Sequence, residues 1–285
     1  MSKNYRAELV GCFGCPIDEN PTQVVEEAAF EKLGLSYRYL TLLVKDGDLE
    51  NAIKGLKAMN MRGINCTIPH KVKVVEYLDE LSEAAKIIGA VNIIVNNGGR
   101  LWGDNTDGKG FIAALNKSGV QLQGKKIAIL GAGGAARAIS IESALAGAVD
   151  ITVVNIEREQ GEELVSLINK CTPAKANFVF WERPFAVPPD TDIFINATSI
   201  GLYPNIKDKP NVDYDTVTSN MVVSDVIFND PNTIFLQEAQ KRGAQTVNGL
   251  GMLANQAAMN FTLWTGKEAP VELMEQTLRD EFELK

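Results

Sequence analysis

Lys126-Ile127-Ala128-Ile129-Leu130-Gly131-Ala132-Gly133-Gly134-Ala135-Ala136 is the stretch that decides the fold. A short continuous apolar strand runs directly into glycines, and Ala135 to Ala146 continues as a helix. The glycines fit G-x-G-x-x-A. Gly131 permits the tight turn, Gly133 lets a pyrophosphate approach the backbone, and Ala136 keeps helix and strand close. The helix start offers unpaired N–H groups and the positive end of its dipole to phosphates. A glycine-rich turn with no ligand is the competing explanation. The strand-turn-helix context favours a dinucleotide site built on Gly131, Ala132, Gly133, Gly134 and Ala135.

Downstream, Asp150 to Asn155 reads as the next strand and ends in Asn155-Ile156-Glu157-Arg158. Glu157 falls about 20 residues past the glycines, where a carboxylate accepts hydrogen bonds from the adenosine ribose. That carboxylate repels a 2′-phosphate, whereas Arg158 attracts one. Its position favours NAD, with NADP as the other option, and Asn155, Glu157 and Arg158 line this end of the site. Further strands are expected at Asn177 to Phe180, Asp192 to Asn196, Met221 to Val226 and Gln245 to Val247, with helices between most of them.

Upstream, strand and helix also alternate. Glu8 to Phe13 and Tyr37 to Val44 read as strands, and Thr22 to Leu33 as a helix capped by Thr22 and closed at Gly34. Asp48 to Met59 carries Leu49, Ile53 and Leu56 on one helical face, and Gly63 to Ile68 is another strand. Such alternation implies parallel strands with crossover helices. Met252 to Thr265 and Val271 to Phe282 are two helices with no strand between them, and are expected to close back onto the first domain. The fold class is therefore α/β with two domains. Residues 1–108 with 248–285 form a substrate-binding α/β domain, and 109–247 a Rossmann-type, doubly wound parallel sheet.

The chain has 285 residues, 45% of them hydrophobic, and 36 acidic against 28 basic side chains give a net charge of −8. That size suits two domains with a core each. The acidic balance and the lack of a basic stripe argue against nucleic acid as a partner. His70 is the single histidine, which excludes schemes needing two. No apolar run reaches the roughly 18 residues of a membrane span, and Met-Ser-Lys-Asn-Tyr-Arg lacks a signal's apolar core, so a cytoplasmic monomer or homodimer is expected. Cys12 and Cys15 form a C-x-x-C, readable as a redox pair, half a metal site or simply buried thiols. With no second such pair and Cys12 inside an apolar run, buried thiols and no metal are expected.

Several separate stretches occur in register: Asn65-Cys66-Thr67-Ile68-Pro69-His70-Lys71, Gly89-Ala90-Val91-Asn92, Asp104-Asn105-Thr106-Asp107-Gly108, Asn196-Ala197-Thr198-Ser199-Ile200-Gly201, and Asn248-Gly249-Leu250-Gly251-Met252-Leu253 running to Gln256. Together with the glycine loop they closely resemble shikimate and quinate/shikimate dehydrogenases over nearly the whole chain. The resemblance implies reversible hydride transfer between a ring secondary alcohol, such as shikimate, quinate or a related cyclic hydroxy acid or polyol, and the nicotinamide. It maps the family's catalytic lysine and aspartate onto Lys71 and Asp107. Chemistry asks for such a pair, because the hydroxyl proton must leave for a base as hydride departs. The resemblance further places Thr67, Asn92 and Gln256 on the substrate, and Thr198, Gly249 and Met252 along the cofactor. A noncatalytic dinucleotide-binding regulatory protein on the same fold is the alternative, though a sensor needs no proton-transfer pair.

The resemblance breaks at substrate recognition. Where shikimate enzymes carry a His-Ser-x-Ser-Pro stretch whose serines hold the substrate carboxylate, this chain has Asp18-Glu19-Asn20-Pro21-Thr22-Gln23. Asn20 and Thr22 are the nearest replacements. Asp18 and Glu19 either face the pocket, repelling an anion by about 1 kcal/mol or more, or are solvated loop charges. Phe228 stands where the family has a substrate-orienting tyrosine, and Ile156 where an arginine clamps the 2′-phosphate. Lys71 and Asp107 are retained, so an altered alcohol is expected rather than a lost reaction.

Overall fold

The computed structural model describes residues 5–283. It divides into two compact units, one of the described residues up to Thr106 and from Gln256 onward, the other Asp107–Asn255. The second crossing falls at 255/256, inside a helix that runs unbroken from Gly249 to Thr265, and not at 247/248.

In the first unit, β1 (Glu8–Gly14), α1 (Thr22–Lys32), β2 (Tyr37–Leu43), α2 (Leu49–Ala58), β3 (Gly63–Cys66), α3 (His70–Lys73), β4 (Glu80–Leu81), α4 (Glu83–Ile88), β5 (Ile93–Asn97) and β6 (Arg100–Asp104) follow one another. The sheet order is β2-β1-β3-β5-β6-β4. It is mixed, which corrects the expectation of parallel strands. β1 is parallel to β2 and β3, whereas β5 is antiparallel to both β3 and β6. The β5–β6 pairing is made by the turn Asn97-Gly98-Gly99-Arg100, whose two glycines at φ of 66° and 97° close a two-residue hairpin.

Alternation along the strands gives the sheet two unlike faces. Phe13, Ile64, Cys66 and Ile94 join Leu49, Ile53 and Leu56 of α2 in an apolar cluster. The opposite face carries Cys12, Tyr39 and Asn65, Cys12 being in register with Asn65. On that side Phe30 of α1 stacks on Tyr37 and on Phe261, and Tyr39 lies against Trp264. A further correction concerns α1. Thr22 does not cap it: the N-cap is Pro21, without a side-chain cap, and Thr22 is buried in the first turn with its amide donating to Asn20 Oδ1 at 2.9 Å.

The second unit comprises α5 (Asp107–Lys117), β7 (Lys126–Leu130), α6 (Gly134–Leu145), β8 (Asp150–Asn155), α7 (Arg158–Cys171), β9 (Lys175–Phe180), β10 (Phe185–Ala186), β11 (Ile193–Asn196), β12 (Val212–Asp213), β13 (Val222–Asp225), α8 (Ile234–Gln240) and β14 (Gln245–Val247). Its main sheet, β14-β13-β11-β7-β8-β9, is parallel throughout, so β7 and β11 sit at the centre and read as unbroken apolar runs. α9 (Gly249–Thr265) begins in this unit and ends in the first, where α10 (Val271–Glu281) packs against α1.

Candidate active site

In the first unit, Thr67 follows the end of β3, its amide donating to the Phe13 carbonyl at 2.9 Å, and Lys71 rides on the short α3. The Lys71 carbonyl accepts from Val91 N at 2.8 Å, which ties the lysine's turn to the residue before Asn92. His70 is buried beside it and lies 2.7 Å from the Val44 carbonyl. The sole histidine is thus a brace for the lysine's loop. Asn92 Oδ1 accepts from both Thr106 N (2.8 Å) and Thr106 Oγ1 (3.1 Å), and Thr106 Oγ1 also meets Asn260 Oδ1 at 2.8 Å. Asp107 is bonded directly to this clamped threonine and is itself buried at the first turn of α5.

Around Cys12 the same unit gathers a buried polar cluster. Tyr39 Oη donates to Asn65 Oδ1 at 3.0 Å, and Asn65 Nδ2 donates to the Asn92 carbonyl at 3.0 Å. Asn20 Nδ2 reaches Cys12 Sγ at 3.6 Å. Burial pushes the Cys12 thiol up to about 12 even though the Lys71 charge pulls it down, and Cys66 is pushed up as well. Such thiols are inert. Among the described residues no group of three or more His, Cys, Asp or Glu is placed to hold a metal. Asp18 and Glu19 are exposed.

In the second unit, Gly131 has φ of 102°, and a Cβ there would meet the Ala197 carbonyl at 3.0 Å and Thr198 Cγ2 at 3.2 Å. The turn therefore needs glycine. α6 starts from an extended Gly133 with no side-chain cap, and Gly133 and Gly134 are exposed, so backbone N–H groups face outward with the helix dipole behind them. Thr198 N and Oγ1 both donate to Asn196 Oδ1, at 3.2 and 2.7 Å, shaping the turn after β11. After β8, Asn155 Nδ2 donates to the Glu157 carbonyl at 2.9 Å, and Glu157 stands exposed at the start of α7. Arg158 lies over the Phe180 ring at 4.8 Å and pairs with Glu162 at 3.3 Å. Phe228 and Met252 are both half-buried.

A residue that the sequence did not single out is Asp225. It is buried at the end of β13, and accepts from Thr233 Oγ1 (2.7 Å), Asn196 Nδ2 (3.0 Å) and Ile227 N (3.1 Å). Burial raises its carboxyl from 3.8 to about 6 against the pull of those donors. It thereby joins the Thr198 turn to the backbone just before Phe228.

Residues 12–94 match the shikimate dehydrogenase substrate-binding domain, and 249–279 the shikimate 5′-dehydrogenase C-terminal domain. The shikimate dehydrogenase (NADP(+)) of Desulforamulus reducens is 39% identical over 278 residues, 96% of each chain. The chain belongs to the shikimate dehydrogenase family. It is an oxidoreductase of that family, as the motifs implied. Two solved members place it further. The 5-ketofructose reductase of Gluconobacter sp. strain CHM43 is 46% identical with a TM-score of 0.93, covering 98% of this chain and all of that one, 100%. The shikimate 5-dehydrogenase of Listeria monocytogenes, solved with shikimate and NAD, is 37% identical with a TM-score of 0.91, covering 97% and 98%.

Two solved structures of comparable likeness thus carry different names, a 5-ketofructose reductase and a shikimate 5-dehydrogenase. For the dinucleotide itself, this chain's own geometry fits: an obligatory glycine at the turn, an uncapped helix start for phosphates and an exposed carboxylate after β8.

Proposed function

We propose that this chain interconverts a secondary alcohol and a ketone on an uncharged, polyhydroxylated substrate of the keto-sugar class, using a nicotinamide dinucleotide. The carrying observation is at the head of α1. Asn20 and Thr22 stand where shikimate enzymes have carboxylate-holding serines; Asn20 spends both ends of its amide internally, Oδ1 on the Thr22 amide and Nδ2 on Cys12 Sγ, and Thr22 is buried. The likeness to a 5-ketofructose reductase supports the same substrate class.

In this reading, Lys71 and Asp107 form the proton-transfer pair: Lys71 Nζ gives a proton to the carbonyl oxygen during reduction and recovers it during oxidation. The bound dinucleotide supplies or accepts the hydride. Thr67, Asn92, Gln256 and Phe228 surround the polyol. Asn92 is oriented by Thr106, so its position follows from the clamp on the segment that leads into Asp107. The dinucleotide rests on Gly131 to Ala135, with Thr198, Gly249 and Met252 alongside and Asn155, Glu157 and Arg158 at the adenosine end. NAD is the preferred form, because Glu157 is exposed there while Arg158 is already stacked and paired.

The test is a spectrophotometric screen of the purified protein with both dinucleotides, against 5-ketofructose, 3-dehydroshikimate, shikimate and quinate. Reduction of 5-ketofructose with the highest kcat/KM is expected. Shikimate or 3-dehydroshikimate as the best substrate would remove the keto-sugar assignment.

A further inference from the structure

Gln256, Asn260 and Trp264 follow one another at a spacing of four residues, and so share one face of α9. The last two are anchored to the sheet side of their unit. Trp264 Nε1 donates to the Ile94 carbonyl at 3.1 Å, and Gly63 makes room for it, since a Cβ there would run into both that nitrogen and that carbonyl. Asn260 is fully buried and meets Thr106 Oγ1 at 2.8 Å, while Thr106 holds Asn92 through its amide and its hydroxyl.

The Thr106 hydroxyl has one proton and faces two amide oxygens, those of Asn260 and Asn92. Asn260 Nδ2 is buried with no hydrogen-bond partner among the described residues. Exchanging the two ends of the Asn260 amide makes both contacts hydrogen bonds: its nitrogen donates to Thr106 Oγ1, and the hydroxyl proton goes on to Asn92 Oδ1. An amide at this position therefore holds Thr106 without taking the proton that Asn92 accepts.

The spacing of these anchors matches the strand beside them. Four residues of helix, Trp264 back to Asn260, rise about 6 Å. Two residues of extended chain, Ile94 back to Asn92, rise about 6.6 Å. One further step brings the helix to Gln256 and the other chain past Ile93, the first residue of β5, to Ala90 and Val91. Val91 N donates to the Lys71 carbonyl and Asn105 Nδ2 to the Ala90 carbonyl, so this third step falls at the turn that carries Lys71. Gln256 is half-buried there.

Building on the reading in which Gln256 contacts the substrate, we propose that Asn260 is a positioning residue: by fixing α9 to Thr106, it sets the height of Gln256 against the Asn92 and Lys71 turns. Asn260 is itself sealed from the substrate. It acts through the helix, one turn behind the contact.

The test is a cycle of wild type, Asn260→Leu, Gln256→Ala and both together in the full-length protein, with kcat and KM measured separately for 5-ketofructose and 3-dehydroshikimate. Leu is close to Asn in size and removes the amide. A substrate contact made alike in the ground and transition states shows in KM with kcat unmoved. Gln256→Ala should raise KM about tenfold, Asn260→Leu about fivefold, and the double substitution no more than Gln256→Ala alone. A merely structural Asn260 would change KM by the same factor with and without Gln256, and that result overturns the proposal, as does a wild-type KM in folded Asn260→Leu. Should Asn260→Leu fail to fold, Thr106→Val takes its place in the cycle: a KM raised only where Gln256 is present supports the proposal, and a rise in both backgrounds or in neither overturns it. If Gln256→Ala alone leaves KM unchanged, the functional reading fails at Gln256 and the proposal falls with it, a result obtained without touching Asn260. A wild type that prefers 3-dehydroshikimate removes the keto-sugar class, and the cycle read on that substrate still decides the role of Asn260.

Discussion

In the function proposed above, the two units recognise their ligands by different physics. The Asp107–Asn255 unit presents backbone: a glycine turn at Gly131, an uncapped helix start at Gly133 and Gly134, and a turn after β11 tied by Asn196 and Thr198. The other unit presents side chains, Thr67, Lys71 and Asn92, the last held by Asn65 at its carbonyl and by Thr106 at its side chain. Backbone recognition is fixed by conformation and changes little unless a glycine is lost. Side-chain recognition can be rewritten one residue at a time on an unchanged fold. A chain can therefore keep its dinucleotide and its proton-transfer pair while changing the alcohol it takes.

The sharpest way to break this division is Lys71→Met. Removing a general acid-base group costs about 10²–10⁴-fold in rate. Turnover should fall by that much while dinucleotide affinity, followed by fluorescence titration, stays at the wild-type value. Parallel loss of dinucleotide binding would show that the lysine serves the fold and not the chemistry.

Asp225 tests whether the backbone-reading unit depends on a buried charge. Its carboxyl holds a proton more tightly folded, at about 6, than unfolded, at 3.8. Its contribution to stability is therefore fully present below about pH 4 and is lost as pH rises through 6. That interval corresponds to roughly 3 kcal/mol at 1.36 kcal/mol per pH unit. Asn cannot titrate. Denaturant melts should show the stability of wild type relative to Asp225→Asn falling between pH 4 and 7, and a parallel pair of curves would deny the buried carboxyl this role.

Gly249→Ala follows in size. A Cβ at this position runs into the carbonyls of Val226 and Ile227, at the point where α9 leaves β14. Overpacking against rigid backbone costs about 1–3 kcal/mol, read as a lower unfolding midpoint with weakened dinucleotide binding. Stability at the wild-type level would mean that this turn yields, contrary to the contrast between rigid backbone recognition and adjustable side chains.

The same contrast explains what could be seen in the sequence. β7 and β8 have the expected bounds, because largely apolar runs ending at glycine or a polar turn are local signals. The turn Asn97-Gly98-Gly99-Arg100 was an equally local hairpin signal, and it makes β5 and β6 antiparallel. Asp225 with Asn196 and Tyr39 with Asn65 were not legible, since each pair is made by distant segments folding onto each other and no spacing rule marks it. Thr22 shows the limit most clearly. Its residue type suggested both a helix cap and a ligand donor, yet the cap is Pro21 and Thr22 is buried in the first turn of α1 with its amide on Asn20.

The smallest effect is expected at the adenosine end, where the backbone-reading unit does use side chains. Ile156 is 63% exposed immediately before Glu157, so a longer side chain fits there without repacking. Arg158 cannot serve a 2′-phosphate without leaving the Phe180 ring and Glu162. Ile156→Arg adds a guanidinium with no such commitment, next to an acid that keeps the ribose preference. One charge-assisted pair at an exposed position is worth about 1 kcal/mol, so the ratio of kcat/KM with NADP to that with NAD should rise by about fivefold, with the alcohol's KM unmoved. A further Glu157→Gln change should add to that shift. If neither substitution moves the ratio, cofactor choice resides outside this turn, and the adenosine end is read by backbone like the rest of its unit.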